Sequence, residues 1–336
     1  MTIEPIAVRA DPPIVLDLPP AHLELTWRAL RAADAVALHA LLTTVEEADE
    51  APGRTSLAEV EEMFVDAWRD MQRDSLGGFD GDGVLRAYAI VAVRPGDERT
   101  VRAFLQGGVH PAWRGRGIGR AVLAWLEGRG RQKLAESGKD LPARLAVFAD
   151  EHARDNRRLY AAAGFSPIRW YAQMRRDLSD PLPDLSPEGV RIEAWRPELD
   201  EAVRLVHNEV FADHWGSEPR LPEDWRHGPH FVPEWSFVAL SGDDVVGYTM
   251  SGRYDADFPV LGYSFGYSEL LGVRREWRGR GVAVALLTRA MAAFRADGMQ
   301  YAVLDVDTAN PSGAHRLYER LGYEAVRGGV LYSVEI

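Results

Sequence analysis

The chain has 336 residues, no cysteine and a formal net charge of −12, from 51 acidic and 39 basic side chains. The absence of thiols excludes disulfides, thiolate zinc sites and a cysteine nucleophile, and fits a cytoplasmic location. The acidic balance argues against a nucleic-acid partner. Apolar residues make up 46% and charged residues 27%, as in ordinary globular proteins, and no apolar run approaches the ~20 residues of a membrane helix.

Residues 1–20 form a proline-rich extension (Pro5, Pro12, Pro13, Pro19, Pro20) with no apolar signal-peptide core. A strand is expected at 22–27, then helices at 33–50 and 57–68 and a β-branched strand at 101–109. A Gly-rich turn follows, and Ile118, Val122, Trp125 and Leu126 recur at helical spacing. A strand at 143–149 and a helix stopped by Gly164 close this half. Residues 177–189 read DLSDPLPDLSPEG, a linker by composition.

The same order then returns. A strand at 190–195 and a helix at 199–211 precede a strand at 268–273 and a second Gly-rich turn. Ala283, Leu287, Ala290 and Phe294 mark the next helix, a strand follows at 301–307, and Gly322 stops the last helix. The fold class is α+β. The expected domains are 21–176 and 190–336, joined by the linker 177–189.

Two motifs carry the repeat. Residues 107–132 read GGVHPAWRGRGIGRAVLAWLEGRGRQ and residues 271–298 read LGVRREWRGRGVAVALLTRAMAAFRADG. Val109 matches Val273, Trp113 matches Trp277, and Arg114-Gly115-Arg116-Gly117 matches Arg278-Gly279-Arg280-Gly281. Downstream, RRLYAAAGF (157–165) answers to HRLYERLGY (315–323). Two ordered matches at nearly constant offset indicate a duplicated domain.

Arg-x-x-Gly-x-Gly/Ala at a helix entrance suits an anion. Glycines let the backbone turn tightly against a ligand, and the free amides at the positive end of the helix dipole bind phosphate. The pattern differs from both the dinucleotide fingerprint and the P-loop. Histidines are scattered without paired spacing, so no metal is expected.

With the downstream Leu-Tyr-x-x-x-Gly-Phe/Tyr, these residues resemble the GNAT superfamily of acyltransferases, in its two-domain form. The resemblance implies two mixed sheets, each splayed between its fourth and fifth strands to admit the pantetheine of acetyl-CoA, with CoA as product and no metal. It implies a coenzyme role for Leu271, Val273, Arg278, Gly279, Arg280, Gly281, Val282, Ala283 and Asn310. Their N-terminal counterparts are Val109, Arg114, Gly115, Arg116, Gly117, Ile118, Gly119 and Tyr160. Tyr318 takes the place of the family's acid. Glu269 is a candidate base, two residues after the position relatives use, which falls at Tyr267; Asp305 and Asp307 are lesser candidates. Positions two apart on a strand share a face.

The N-terminal half has Leu105 where Glu269 stands and His152 where Asn310 stands, so it is expected to bind CoA with weak or no turnover. His214, Trp215 and Tyr267 are candidates for lining the acceptor pocket, where aromatic faces and carboxylates would suit a cationic small-molecule amine. A CoA-binding module without turnover and an acetyltransferase acting on a protein N-terminus or lysine remain alternatives. Either a monomer with pseudo-dimeric domains or a homodimer is compatible with the sequence.

Overall fold

The computed structural model describes residues 4–66, 68–309 and 313–336. They form two compact units: unit 1, Met1–Ile168 with Val330–Ile336, and unit 2, Arg169–Gly329. This division differs from the contiguous one expected around 177–189, because the strand completing each sheet comes from beyond its own half. The reason is burial: Val330 and Tyr332 are 3% and 4% exposed in the core of unit 1, and Met174 and Leu178 are 1% and 2% exposed in that of unit 2. The segment read as a linker is therefore partly core, through Leu178 and Leu182.

Unit 1 contains helices α1 (Ile6–Arg9), α2 (Ala35–Ala48), α3 (Leu57–Glu62), α4 (Met71–Asp74), α5 (Ile118–Glu136) and α6 (Arg154–Ala162). Its strands are β1 (Thr26–Arg28), β2 (Ser75–Phe79), β3 (Leu85–Val93), β4 (Val101–Val109) and β5 (Ala143–Asp150), completed by the end of the last strand of the chain. β1 to β4 pair antiparallel in sequence order. Ile336 N–H donates to Ala143 O at 2.8 Å at the far side of β5. Two elements are shorter than expected. Residues 21–23 form a 3-10 turn after Pro19-Pro20, where a strand was expected from 22, and α3 ends at Glu62 rather than near Trp68 because the chain turns away at Met63.

Unit 2 contains β6 (Ser166–Asp177, from Arg169 on), β7 (Arg191–Ala194), α7 (Asp200–Val210), β8 (Phe237–Ser241), β9 (Asp244–Gly252) and α8 (Phe258–Leu261). It continues with β10 (Phe265–Val273), α9 (Val282–Ala296), β11 (Tyr301–Asp307), α10 (Ala314–Arg320) and the start of β12 (Glu324–Glu335). Its sheet runs β7-β8-β9-β10-β11-β6. On α9, Leu286, Leu287, Ala290, Met291 and Phe294 are all 0% exposed, a stripe wide enough to cover the sheet. Each of the leucine, methionine and phenylalanine side chains contributes about 1.5–3 kcal/mol relative to exposure. Gly266 makes room for the Phe294 ring, which a Cβ at that position would overlap.

Both sheets open at the same place. β10 and β11 pair in parallel at only three rungs, Phe265↔Tyr301, Gly266↔Ala302 and Tyr267↔Val303, after which β10 continues to Val273 and β11 to Asp307. β4 and β5 pair at four rungs, Val101↔Ala143 to Phe104↔Ala146, while β4 continues to Val109. The splay implied by the family resemblance is present twice.

Candidate active site

In unit 2 the chain leaves β10 at Val273, makes a 3-10 turn at Arg275–Trp277 and enters α9 through Gly279 (φ 73°) and Gly281 (φ 82°). Both lie in the left-handed region that a side chain resists. The first helical bond runs from Ala285 N–H to Gly281 O at 3.0 Å, so the amides of Val282, Ala283 and Val284 have no acceptor within the helix. Free amides at the positive end of a helix suit an anion, and here they lie next in the chain to the end of β10 that carries Leu271 and Val273.

The arginines of the motif do more than add charge. Arg278 donates from Nε to Val273 O at 3.0 Å and from a terminal nitrogen to Val210 O at 3.3 Å, tying the loop to the strand end. Arg280 lies over the Trp277 ring at 5.0 Å. Unit 1 repeats this detail: Arg114 Nε donates to Val109 O at 3.1 Å, Arg116 lies over Trp113 at 4.6 Å, and Gly115 and Gly117 have φ of 77° and 91°. Ala121 N–H closes the first bond on Gly117 O at 3.1 Å, which leaves the amides of Ile118 and Gly119 at the entrance of α5.

The two faces of the unit 2 gap differ chemically. On the α9 face, Ala302, Leu304 and Val306 join a core that buries Tyr318 and takes in Leu271 and Val284. Burial pushes the Tyr318 phenol up to about 12, so it is neutral at physiological pH. By strand alternation, Tyr267, Asp305 and Asp307 point to the opposite face. There Tyr267 and Gln173 hydrogen-bond Asp305, and Asp307 accepts from Arg169 Nε and Nη2, both at 2.8 Å. Burial raises the pKa of Asp305 despite those hydrogen bonds, and raises that of Tyr267 well above the usual phenol value.

Glu269 is the extra residue of a β-bulge: β10 pairs Ser268↔Ser251 and then Leu270↔Met250. It is exposed, and its Oε1 accepts from Tyr254 Oη at 2.9 Å. Tyr254 in turn packs edge-on to Tyr267, with ring centroids 5.5 Å apart, and stacks on His230 at 4.4 Å. β4 runs through the same stretch without a shift, from Ala87↔Val109 to Val93↔Ala103, and Leu105 is buried there. Tyr160, the counterpart of Tyr318, is also raised to about 12 by burial and lies 6.0 Å from the Tyr332 ring.

Trp215 stacks over the Arg169 guanidinium at 4.6 Å, which joins its loop to the Arg169–Asp307 pair, and His214 Nδ1 lies 3.0 Å from Trp215 O. Asn310 lies outside the described residues. Sequence reasoning did not reach Gln173, which comes to Asp305 through the β6–β11 register. It also missed Leu185, whose side chain crowds the space a Cβ would take at Gly281. His207 and Tyr248 form a buried pair, Nδ1 to Oη 2.6 Å, beneath Gly272 of β10. Among the described residues no group of three acidic or histidine side chains is arranged to hold a metal ion, and no helix is long and apolar enough to cross a membrane.

Comparison with known proteins agrees with the duplicated geometry. The acetyltransferase (GNAT) family matches residues 39–165 and again 197–323. A mycothiol acetyltransferase of Streptomyces scabiei (strain 87.22) is 36% identical over 233 residues, covering 68% of this chain and 70% of that one. A second, from Streptomyces bingchenggensis (strain BCW-1), is 30% identical over 305 residues, covering 88% and 92%. Among solved structures, a GCN5-related N-acetyltransferase from Sphaerobacter thermophilus superposes with a TM-score of 0.70 at 27% identity, covering 95% of this chain and 97% of that one. A tandem GNAT protein from the clavulanic acid biosynthesis pathway has a TM-score of 0.67 at 20% identity, covering 93% and 98%, a likeness of fold. With both halves matched and the sheet splayed in each, the chain belongs to the GNAT family of acetyltransferases.

Proposed function

We propose that the protein transfers an acetyl group from acetyl-CoA to the amine of a small molecule, and that unit 2 does the chemistry. The observation that carries this reading is the gap beyond Tyr267↔Val303, which has a neutral buried tyrosine on one face and carboxylates on the other. Acyl transfer needs an amine approaching one side of a thioester while the sulfur departs protonated. In this reading the amides of Val282 and Ala283 hold the diphosphate and the β10 edge at Leu271–Val273 polarises the acetyl carbonyl. Tyr318 protonates the leaving sulfur. Glu269 and Asp305 draw the cationic acceptor to the open face, with Tyr254 and Tyr267 as aromatic walls. Unit 1 has the loop and the tyrosine without the bulge or an acid on β4, so in this reading it binds CoA with weak or no turnover.

The test is thiol release from acetyl-CoA with the full-length protein and a panel of primary amines. The panel includes a mycothiol-related amine, the acceptor class to which the relatives' names point. Amine-dependent release with formation of an N-acetyl product is expected. Calorimetric binding of CoA with no release for any amine would identify a binding module and end the enzymatic reading.

A further inference from the structure

We propose that Asp305 is the group that takes the proton from the acceptor ammonium, and that Tyr267 and Gln173 are the residues that position its carboxyl. This assignment rests on the acetyl-transfer reading above. A primary amine reaches the protein mainly as R–NH3+, and its nitrogen has no lone pair to attack with until one proton leaves. The step is a single proton transfer: the ammonium becomes R–NH2, the Asp305 carboxylate becomes the acid, and the proton returns to solvent at the exposed edge of the strand. No bond to carbon changes at this stage.

Among the described residues, β10 and β11 bring three carboxylates to the gap, Glu269, Asp305 and Asp307, and their surroundings separate them. Asp307 is 6% exposed and already paired with the Arg169 guanidinium, through Nε and Nη2 at 2.8 Å. Glu269 and Asp305 both have exposed side chains, but Glu269 is the bulge residue on which Tyr254 Oη is already directed. Asp305 stands between them, one same-face step beyond Tyr267↔Val303, the last rung before β10 and β11 part. Its hydrogen-bond partners Tyr267 and Gln173 are both neutral, so they fix the carboxyl without neutralising it.

Position and chemistry therefore coincide at the opening. Burial raises the proton affinity of Asp305, in the direction a proton acceptor needs. The groups facing it are Tyr267 from β10, Gln173 from the opposite rung of β6, and the flanking Val303–Arg175 and Asp307–Tyr171 rungs, with Arg169 held on Asp307; Glu269 stands nearby in the bulge. Arg175 is engaged over the rings of Tyr263 and Tyr301, at 4.6 and 4.3 Å.

The experiment uses full-length Asp305→Asn with two acceptors: the best alkylamine of the panel, and hydroxylamine, which is neutral at assay pH. The expected result is a loss of about 10²–10³ in kcat/KM for the alkylamine, with hydroxylamine within about fivefold of wild type and acetyl-CoA affinity by calorimetry unchanged. Tyr267→Phe removes a hydrogen bond that favours the carboxylate, so the acidic limb of its kcat/KM profile should move to higher pH. That shift remains a test should Asp305→Asn fail to fold. Equal losses on both acceptors, no loss on either, or an unmoved limb in Tyr267→Phe would overturn the assignment. If wild type itself releases no thiol with any amine, the acetyl-transfer reading falls; if wild type turns over and Asp305→Asn matches it, only this inference falls.

Discussion

In unit 1, Arg114 is paired with Asp49 at the end of α2, Nη2 to Oδ2 3.0 Å, whereas the matching Arg278 of unit 2 donates to the neutral carbonyl oxygen of Val210 at 3.3 Å. The same motif thus keeps its full positive charge in one copy and is partly neutralised in the other. Both members of the Arg114–Asp49 pair are partly solvated, which limits the effect. Asp49→Asn should strengthen CoA binding at the unit 1 loop by about two- to fivefold at low salt, and the gain should shrink as salt is added. Calorimetric stoichiometry at two ionic strengths measures it.

The glycines at the helix entrances should separate the roles of the two copies. Gly281→Ala forces a Cβ into a left-handed residue beside Leu185, at a backbone cost of about 1–2 kcal/mol. Turnover is expected to fall about tenfold or more, with a weaker KM for acetyl-CoA. Gly117→Ala, at φ 91°, should leave turnover within about twofold. Steady-state kinetics on both variants decides the matter; if Gly117→Ala were the inactive one, the catalytic half would be unit 1.

Tyr318→Phe keeps the ring that fills the core and removes only the hydroxyl. A fall in kcat of about 10–10³ is expected with little change in melting temperature. The sign of the pH effect follows from burial: the phenol is pushed up to about 12, so it stays protonated well above pH 9. No basic limb from this group should appear below about pH 11 in wild type. A pH–rate profile run to pH 10 checks this.

His207 makes stability depend on pH. Burial lowers its pKa from 6.5 to about 4, so between those values the unfolded chain binds a proton that the folded one does not. Its cost is absent above pH 6.5 and grows as pH falls towards about 4, reaching about 3 kcal/mol. Urea denaturation at pH 7.5 and 5.0 should show a larger loss in wild type than in His207→Gln. Comparison with the variant subtracts the contribution of the carboxylates.

Much of this was legible in the sequence because local chemistry fixed it. β4 and β11 fall at the expected residues, and Gly164 and Gly322 stop their helices with φ of 88° and 82°. What escaped was set between strands. A bulge at Glu269 is a property of the β9–β10 register, which no single strand declares. The approach of Gln173 to Asp305 depends on which strand completes the unit 2 sheet. β6 and β12 are both 12-residue strands ending their respective repeats, so their sequences do not reveal which core each one joins.

Removal of residues 330–336 should destabilise unit 1 far more than its small size suggests. It takes away Val330 and Tyr332, the Tyr332 hydroxyl that accepts from Arg157 Nε at 3.0 Å, and the Ile336 amide bonded to Ala143 O. A loss of about 3–5 kcal/mol is expected from the buried side chains. A fragment ending at residue 176 should lack a cooperative unfolding transition by calorimetry.

This membership of Val330–Ile336 also orders events during synthesis. Residues 4–168 leave the ribosome with their sheet one strand short, and the missing piece is translated only after the whole of unit 2. The first half therefore cannot settle as a finished body while the second is still being made; its final closure waits until residues 330–336 have emerged. A non-local contact of that span raises the entropic barrier to folding and leaves an unpaired β5 edge exposed in the nascent chain.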